Sequence, residues 1–520
     1  MGNTMNELSR RGLLAGAGAV AVSATVGGVA DAELHEPGAV TVRPGDSRYD
    51  GLVRANNFRF VGKPDEVRLT GSTGQVVRAV SDAVRSGRRI AVRSGGHCFE
   101  NLTADPAART LIDLSRMDAV GYDSARRAFF VEPGATLGQV YRTLGRGWGV
   151  TIPAGGCPEV GAGGHIAGGG YGPLSRRYGA VVDHLEAVEV VVADQPGVRA
   201  VVASRDQNHD LWWAHTGGGG GNFGVVTRYW LRSPGATGTD PSRLLPPQPR
   251  EMLTCLAVWN WDDQAFTEIV GNFGAWMERN SAPGSPSTGL YPILHLKHRD
   301  TGTLELTVQA DADLPGVDRL VTGLVTALGV EPAYTYRYKA PWSHATTWPG
   351  LGQPGDVATR RYKIKAAYLR RSFTPAQLAT IHRHLSEATT VRGGIQVIGY
   401  GGQVAAVAPE ATAIAQRGAI MKAVYSSLWL EPSDDAANLS WVRELYRDVY
   451  SATGGVPVDD GSYINYPDVD LADPAWNTSG VPWSTLYYQG NYPRLRRVKA
   501  RWDPRNVFTH ALGIELLSGT

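Results

Sequence analysis

Hydrophobic spacing in the first half of the chain predicts helices that alternate with strands. Residues 75–86 place Val and Ala at helical intervals, and the apolar run at 90–92 follows as a strand. The near-continuous Val run at 187–193 predicts a strand buried on both faces. Other segments fit the same scheme: strands at 110–114, 129–132 and 223–230, and helices at 136–144, with Thr136 as N-cap, and at 208–215.

The middle of the chain has a different pattern. Residues 304–310 alternate apolar with polar side chains, the period of a half-exposed antiparallel strand. Apolar positions from 439 to 449 predict a long helix that stops at the glycine pair 454–455. Further strands are expected at 252–261, 395–400 and 419–430. These elements predict an antiparallel sheet flanked by helices, separated from the first half by the Pro-, Gly-, Ser- and Thr-rich stretch at 234–249.

The N-terminus has the pattern of an export signal. The sequence SRRGLL at 9–14 precedes an apolar, Ala/Gly-rich stretch, and ADA at 30–32 resembles a cleavage site. We interpret residues 1–32 as a twin-arginine signal peptide. The twin-arginine route exports proteins that fold before they leave the cytoplasm. The glycine content and the cleavage site argue against stable membrane insertion of the mature protein.

The amino-acid composition limits the classes of molecule that the protein is expected to bind. The 520-residue chain has a net charge of +2 with scattered Lys and Arg, which predicts no nucleic-acid partner. Its three cysteines exclude a disulfide scaffold. The 14 Trp and 21 Tyr suit a site for a large organic molecule, but they suit a large core equally well.

Two glycine loops each carry a nucleophile. They are RSGGHC at 93–98 and PAGGC at 153–157, which place His97 and Cys157 directly after paired glycines. Glycine lets the backbone approach a flat ligand closely, so the two loops suggest one electrophilic cofactor held from two sides. Cys98 and Cys255 fit small buried residues better than metal ligands, and a Cys98–Cys157 disulfide is an open alternative.

Two glycine tracts, at 155–172 and 217–224, could hold a pyrophosphate on their backbone N–H groups, although such tracts are as often flexible turns. Neither fits a dinucleotide-binding fingerprint.

These loops resemble those of berberine bridge enzyme-like FAD oxidases, within the vanillyl-alcohol oxidase and p-cresol methylhydroxylase superfamily, and among them the actinomycete tailoring oxidases. The resemblance runs from about residue 54 to the C-terminus. It implies an α+β fold, in which a two-part FAD-binding domain of the p-cresol methylhydroxylase type holds an inserted substrate domain built on an antiparallel β-sheet flanked by helices. The expected limits are 33–238 and 461–520 for the two FAD-binding parts and 239–460 for the substrate domain.

The resemblance also implies site residues. FAD would be attached covalently through His97 and Cys157. Tyr463, in the segment YINYPD, would be the base at a substrate alcohol, and Tyr368 a second catalytic tyrosine flanked by Lys363, Lys365 and Arg370. Tyr171 and Tyr400 would face the substrate. The other implied cofactor-binding residues are Arg93, Ser94, Gly95, Gly96, Gly155, Gly156, Gly161, Gly163, Gly164, His165, Gly168, Asp183, Gly221, Asn222, Gly224, Val226, Asn465 and Tyr492. No metal is expected.

For His165, the residues alone favour a structural, hydrogen-bonded histidine in a tight loop. Asn465 is expected to position the flavin or Tyr463 by hydrogen bonds.

We therefore expect an FAD-dependent oxidase that converts a secondary alcohol of a bulky polyketide, glycoside or glycopeptide to a ketone or a further oxidised product, with O2 reduced to H2O2. The alternatives are an oligosaccharide or hexose oxidase, an oxidative cyclase on the same scaffold and an exported small-molecule binding protein. A metallohydrolase using His97, Cys98 and Cys157 is disfavoured because no tight ligand spacing is present.

Overall fold

The computed structural model describes residues 38–346 and 361–517, so the predicted signal peptide lies outside the described residues. Within them, no helix is long and apolar enough to cross a bilayer.

The first sheet contains the strand that leads into the His97 loop. Its strands are β1 (Val40–Val42), β2 (Glu66–Leu69), β3 (Ile90–Arg93) and β4 (Thr110–Asp113), in the order β1-β2-β4-β3. Strands β2 and β3 run parallel to β4, and β1 runs antiparallel to β2. Helix α2 (Thr73–Arg85) crosses between β2 and β3, as predicted, and buries Val76, Ala79, Val80 and Ala83.

A second sheet follows in the first half of the chain and is antiparallel throughout. It contains β5 (Val120–Asp123), β6 (Ala128–Val131), β7 (Leu185–Asp194), β8 (Gly197–Ser204) and β9 (Val225–Leu231), in the order β5-β6-β9-β7-β8. Strand β7 carries the predicted Val run and lies inside the sheet, where both of its faces are covered.

The third sheet has seven antiparallel strands and confirms the pattern expected for the middle of the chain. Its strands are β10 (Glu251–Asn260), β11 (Leu290–Lys297), β12 (Thr303–Asp311), β13 (Tyr334–Pro341), β14 (Arg361–Leu369), β15 (Gly393–Gly399) and β16 (Met421–Trp429). Their order is β13-β10-β12-β11-β15-β16-β14. One face packs on four helices, α7 (Asp263–Asn280), α8 (Val317–Ala327), α10 (Pro375–Ser386) and α11 (Asp435–Val449). The other face turns toward the glycine loops.

The helices are α1 (Tyr49–Val53), α2 (Thr73–Arg85), α3 (Leu137–Trp148), α4 (Ala162–Ala167), α5 (Ser175–Tyr178), α6 (His209–Ala214), α7 (Asp263–Asn280), α8 (Val317–Ala327), α9 (Trp342–Ala345), α10 (Pro375–Ser386), α11 (Asp435–Val449), α12 (Trp483–Tyr488) and α13 (Tyr492–Trp502). Thr136 caps α3 as predicted, because its hydroxyl accepts from the Gln139 N–H at 3.3 Å. Helix α11 begins four residues before the first apolar position that marked it in the sequence.

The C-terminal segment returns to the first half of the chain. Helix α13 packs on α6 and β7. The buried Lys499 amine donates to the Asn222 carbonyl at 2.8 Å and to the Asp503 carboxylate at 2.7 Å, which ties the segment to the second glycine tract. The α+β architecture is therefore as expected. The three domain limits stay predictions.

Candidate active site

A cavity of about 810 Å³ lies between the glycine loops and the open face of the seven-stranded sheet. This volume is in the usual range of small-molecule sites. Most of the predicted site residues line it: Ser94, Gly95, Gly96, His97, Gly155, Gly156, Cys157, Gly161, Gly163, Gly164, His165, Tyr171, Gly221, Asn222, Gly224, Val226, Tyr463 and Asn465.

Glycine brings the His97 loop and the Cys157 loop into contact. The backbones of Gly95 and Gly161 touch so closely that a Cβ on either residue would overlap the other chain segment. The Ser94 hydroxyl donates to the Pro133 carbonyl at 2.5 Å and the Gly163 N–H donates to the same oxygen at 3.0 Å. The two nucleophiles are therefore held on one cavity by backbone packing that larger residues would prevent.

The two nucleophiles differ in protonation. Desolvation lowers the pKa of His97, against the opposing effect of the Glu159 carboxylate, so its imidazole is neutral and nucleophilic near pH 7. The Cys157 side chain is exposed toward the cavity. The surrounding protein still desolvates its sulfur and, together with Glu159, raises the thiol pKa. Cys157 therefore needs to lose a proton before it can attack.

The remaining cysteines are poor candidates for attachment. Cys98 also lines the cavity, but burial raises its pKa to about 11, which makes it a poor nucleophile. Cys255 is buried in strand β10 of the seven-stranded sheet. All three cysteines are free, so the alternative of a Cys98–Cys157 disulfide is wrong. Among the described residues no cluster of His, Cys, Asp and Glu could hold a metal ion.

Tyr463 receives two hydrogen bonds at its phenol oxygen. The Gly170 N–H donates at 3.0 Å, and the Asn465 amide donates at 3.0 Å while also donating to the His165 carbonyl at 2.9 Å. Gly170 has φ +68°, which lets the turn aim this N–H at the phenol. Desolvation still raises the Tyr463 pKa, helped by Tyr466 and Tyr400, while the two donors act in the opposite direction. Both donors would stabilise a phenolate.

A buried lysine, which the sequence did not indicate as a site residue, lies among four tyrosine rings. The Lys422 Nζ is 3.3 Å from the ring centre of Tyr171, 3.8 Å from that of Tyr463, 4.2 Å from that of Tyr400 and 4.8 Å from that of Tyr368. It has no hydrogen-bond partner among the described residues. Desolvation lowers its pKa well below the usual lysine range. A cation at this position would stabilise negative charge on the surrounding phenols.

The lysines that were expected beside Tyr368 point elsewhere, because side chains alternate along β14. Lys363 and Lys365 lie on the face opposite Tyr368, in a buried network with Glu100, Asp468 and Asp470. The Lys363 amine pairs with Glu100 and is 2.7 Å from Asp468, and the Lys365 amine is 2.5 Å from Asp468. Desolvation alone would lower the Lys363 pKa, but Asp468, Glu100 and Asp470 outweigh it and raise the pKa.

This network joins the two parts of the site. Glu100 lies three residues after His97, and Asp468 lies five residues after Tyr463. Replacement of Lys363 by methionine would leave the buried Glu100 carboxylate without its cation, whereas Asp468 would keep Lys365. We expect a loss of about 3 kcal/mol in the free energy of unfolding, measured by urea denaturation. Lys339→Met, at an exposed position, is the matched control and is expected to unfold like the native chain; equal stability of all three proteins would contradict this electrostatic account.

Six predicted site residues do not line the cavity. Arg93 pairs with Asp113 at 2.6 Å, and Asp183 pairs with the buried Arg417 at 2.7 Å. Gly168 leaves room for the Asn465 amide. Tyr492 stacks on Tyr488 with ring centres 5.9 Å apart. Tyr368 and Tyr400 are buried beside Lys422, behind the cavity wall. His165 lines the cavity and also accepts from the Gly155 N–H at 3.2 Å.

Comparisons of this chain with protein families and with known proteins find relatives along most of its length. Residues 64–196 match the family described as FAD binding domain, and residues 462–515 match the family described as berberine and berberine like. The chain is 52% identical to the aclacinomycin-N/aclacinomycin-A oxidase of Streptomyces galilaeus, over 98% of this chain and 99% of that one. The chain belongs to the berberine bridge enzyme-like family of FAD-linked oxidases.

Further relatives of this family fit the same assignment. The hexose oxidase of Chondrus crispus is 31% identical over 90% of this chain and 93% of its own length. The crystal structure of aclacinomycin oxidoreductase covers 92% of this chain and 100% of its own, with 53% identity and a TM-score of 0.89. The crystal structure of a glycopeptide hexose oxidase complexed with teicoplanin covers 92% of this chain and 99% of its own, with 48% identity and a TM-score of 0.87.

The cavity fits FAD, the cofactor of this family. It combines glycine backbones without side chains, two nucleophiles on adjoining loops, and a wall that continues to Gly221, Asn222 and Gly224 in the second glycine tract. His97, Cys157 and both glycine tracts are the residues that would hold the flavin. The chain is therefore an oxidoreductase, and the alternative of a non-catalytic binding protein is disfavoured.

Proposed function

We propose that this oxidase carries FAD bound covalently to His97 and Cys157. It oxidises a secondary alcohol on the sugar of a bulky natural product to a ketone, and O2 is reduced to H2O2. The observation that carries the proposal is the Tyr463 phenol, which lines the cavity, receives two hydrogen bonds and lies against the ring-enclosed Lys422. Bound FAD supplies the acceptor for the hydride that leaves the alcohol carbon.

Residues of the protein accept the proton that the alcohol releases. A secondary alcohol loses its O–H proton as its C–H hydride departs, so a base must be in reach. Tyr463 is that base. Its phenolate form is favoured by the Gly170 and Asn465 N–H groups and by the positive charge of protonated Lys422. Burial raises the pKa of Tyr463 and lowers that of Lys422, which favours the uncharged form of each group. A pair of one phenol and one neutral amine has room for the one proton that the substrate releases.

The sheet wall favours a hydroxylated substrate. Thr254, Thr307, Gln309, Gln396 and Ser426 line the cavity from the sheet side. The Gln309 Oε1 is buried and has no hydrogen-bond partner among the described residues. An unpaired buried acceptor is costly, and a sugar hydroxyl would satisfy it. This observation also supports the second candidate, a hexose or oligosaccharide oxidase that produces a lactone or acid.

Covalent attachment has a defined chemistry. Each bond, at His97 or at Cys157, would form with a net loss of two protons and two electrons, and O2 would accept both. The neutral His97 imidazole can attack directly, whereas Cys157 must first lose its proton.

We further propose that the twin-arginine signal exports the folded, flavin-loaded protein.

Anaerobic stopped-flow absorbance tests the function. Purified holoenzyme is mixed with aclacinomycin N, with a free hexose such as glucose, or with buffer, and the H2O2 formed in air is measured with a peroxidase-coupled assay. We expect saturable flavin bleaching with the glycoside and stoichiometric H2O2. Faster bleaching with the hexose would favour the second candidate. No bleaching with any alcohol would contradict both.

A further inference from the structure

A row of exposed tyrosines runs outward from the cavity along the edge of the seven-stranded sheet. Tyr334, Tyr336 and Tyr338, here called the tyrosine row, alternate along β13, and these residues are 54%, 59% and 42% exposed. They account for three of the five strongly exposed large apolar or aromatic residues in the part of the chain that the structure describes. Soluble proteins rarely expose such a set without a use for it.

The tyrosine row lies on the sheet face that forms the cavity wall. Tyr338 lines the cavity and pairs in register with Thr254, which also lines it. Tyr336 and Tyr334 pair with Leu256 and Val258, the next two positions on the same face of β10. Arg337, between them, points to the opposite face and bonds Thr322 of α8 at 2.9 Å. The row therefore continues the wall beyond the cavity for about 13 Å.

The arrangement of the rings suits a flat aromatic ligand. The Tyr336 and Tyr338 ring centres are 5.7 Å apart, with 32° between the ring planes. Strand β13 is the edge of its sheet, and native edge strands usually carry charges that prevent association. On this face the edge instead carries three uncharged rings, which attract planar groups by stacking.

We propose that the tyrosine row is a subsite for the planar aromatic aglycone of a glycosylated substrate whose sugar reaches Tyr463. This inference rests on the proposed function and adds the chemical class of the part of the substrate that stays outside the cavity. The row determines affinity for the glycoside and leaves the oxidation step unchanged.

Binding of a planar probe tests the subsite without turnover. The holoenzyme is dialysed to equilibrium against anthraquinone-2-sulfonate, as native protein and as Tyr336→Ala, Tyr336→Phe and Thr335→Ala. One lost stacking contact is expected to weaken binding about 3- to 10-fold in Tyr336→Ala. Tyr336→Phe retains the ring, and Thr335→Ala changes the opposite face, so both are expected to bind as the native protein does. Equal dissociation constants for all four proteins would overturn the proposal.

Steady-state kinetics and molecular mass complete the test. With a glycoside that reduces the enzyme, Tyr336→Ala is expected to raise KM with little change in kcat. If no alcohol reduces the enzyme but the probe still distinguishes the variants, the proposed function fails while the aromatic subsite stands. If Tyr336→Ala instead converts a dimer to a monomer in light scattering and binds the probe normally, the row is a contact between copies and the proposal is wrong.

Discussion

Tyr463→Phe is expected to lower kcat by about 10²- to 10⁴-fold, the usual range for loss of a positioned base. Phenylalanine retains the ring against Lys422 but cannot accept the proton of the alcohol. The measurement is the limiting rate of anaerobic flavin bleaching, which reports the reductive step alone. Substrate binding through the sheet wall should persist, so KM should change far less than kcat.

A matched control separates chemistry from folding. The variant leaves the Gly170 and Asn465 donors without their acceptor, which costs about 1–3 kcal/mol of stability. Tyr425→Phe removes the hydroxyl by which the buried Tyr425 bonds the Tyr450 hydroxyl at 3.1 Å, on the opposite face of the same sheet. The kcat of this variant should therefore stay near the native value. A Tyr463→Phe enzyme that bleaches as fast as this control would remove Tyr463 from its role as the base.

Lys422→Met is expected to lower kcat about 100-fold near neutral pH and to move the acidic limb of the kcat/KM profile to higher pH. Protonated Lys422 stabilises the Tyr463 phenolate, so loss of this cation raises the pKa of the phenol. The base form is then reached only in more alkaline solution. In the native enzyme activity is lost as pH falls, because the pair of Tyr463 and Lys422 becomes fully protonated and cannot take the substrate proton.

The pH profile is the decisive readout for Lys422, because a merely structural lysine would alter stability without moving it. Lys339→Met removes an exposed lysine from β13 and should leave the profile in place. Partial recovery of Lys422→Met at alkaline pH would support the electrostatic role. A lowered kcat with the acidic limb unmoved would contradict it.

Local sequence signals predicted much of the fold. The Val run of β7, the alternation of β12 and the Thr136 cap are all properties of neighbouring residues, so periodicity was sufficient to find them. Strands β11, β13 and β14 were not predicted as strands, although YTYRYK at 334–339 alternates clearly. The order in which strands pair depends on contacts between distant segments, and spacing along the chain does not encode it.

The site was predicted in part for a related reason. The glycine loops placed His97 and Cys157 on one ligand because each motif is contiguous. Lys422 lies in an apolar strand and Gln309 in an alternating one, so neither stands out in the sequence. Only the packed structure shows that Lys422 has no hydrogen-bond partner within 38–346 and 361–517 and that Gln309 faces the cavity. The expectation that Lys363 and Lys365 lie beside Tyr368 was wrong. Side chains on a strand alternate between its two faces, so both lysines face away from Tyr368.

Peptide mapping of the denatured holoprotein tests whether one flavin is bonded to both loops. We expect one tryptic species in which the peptides of His97 and Cys157 are joined through a single FAD, and two titratable thiols, Cys98 and Cys255, out of the three cysteines in the sequence. Colourless precipitate, three titratable thiols and unmodified peptides at both positions would contradict it.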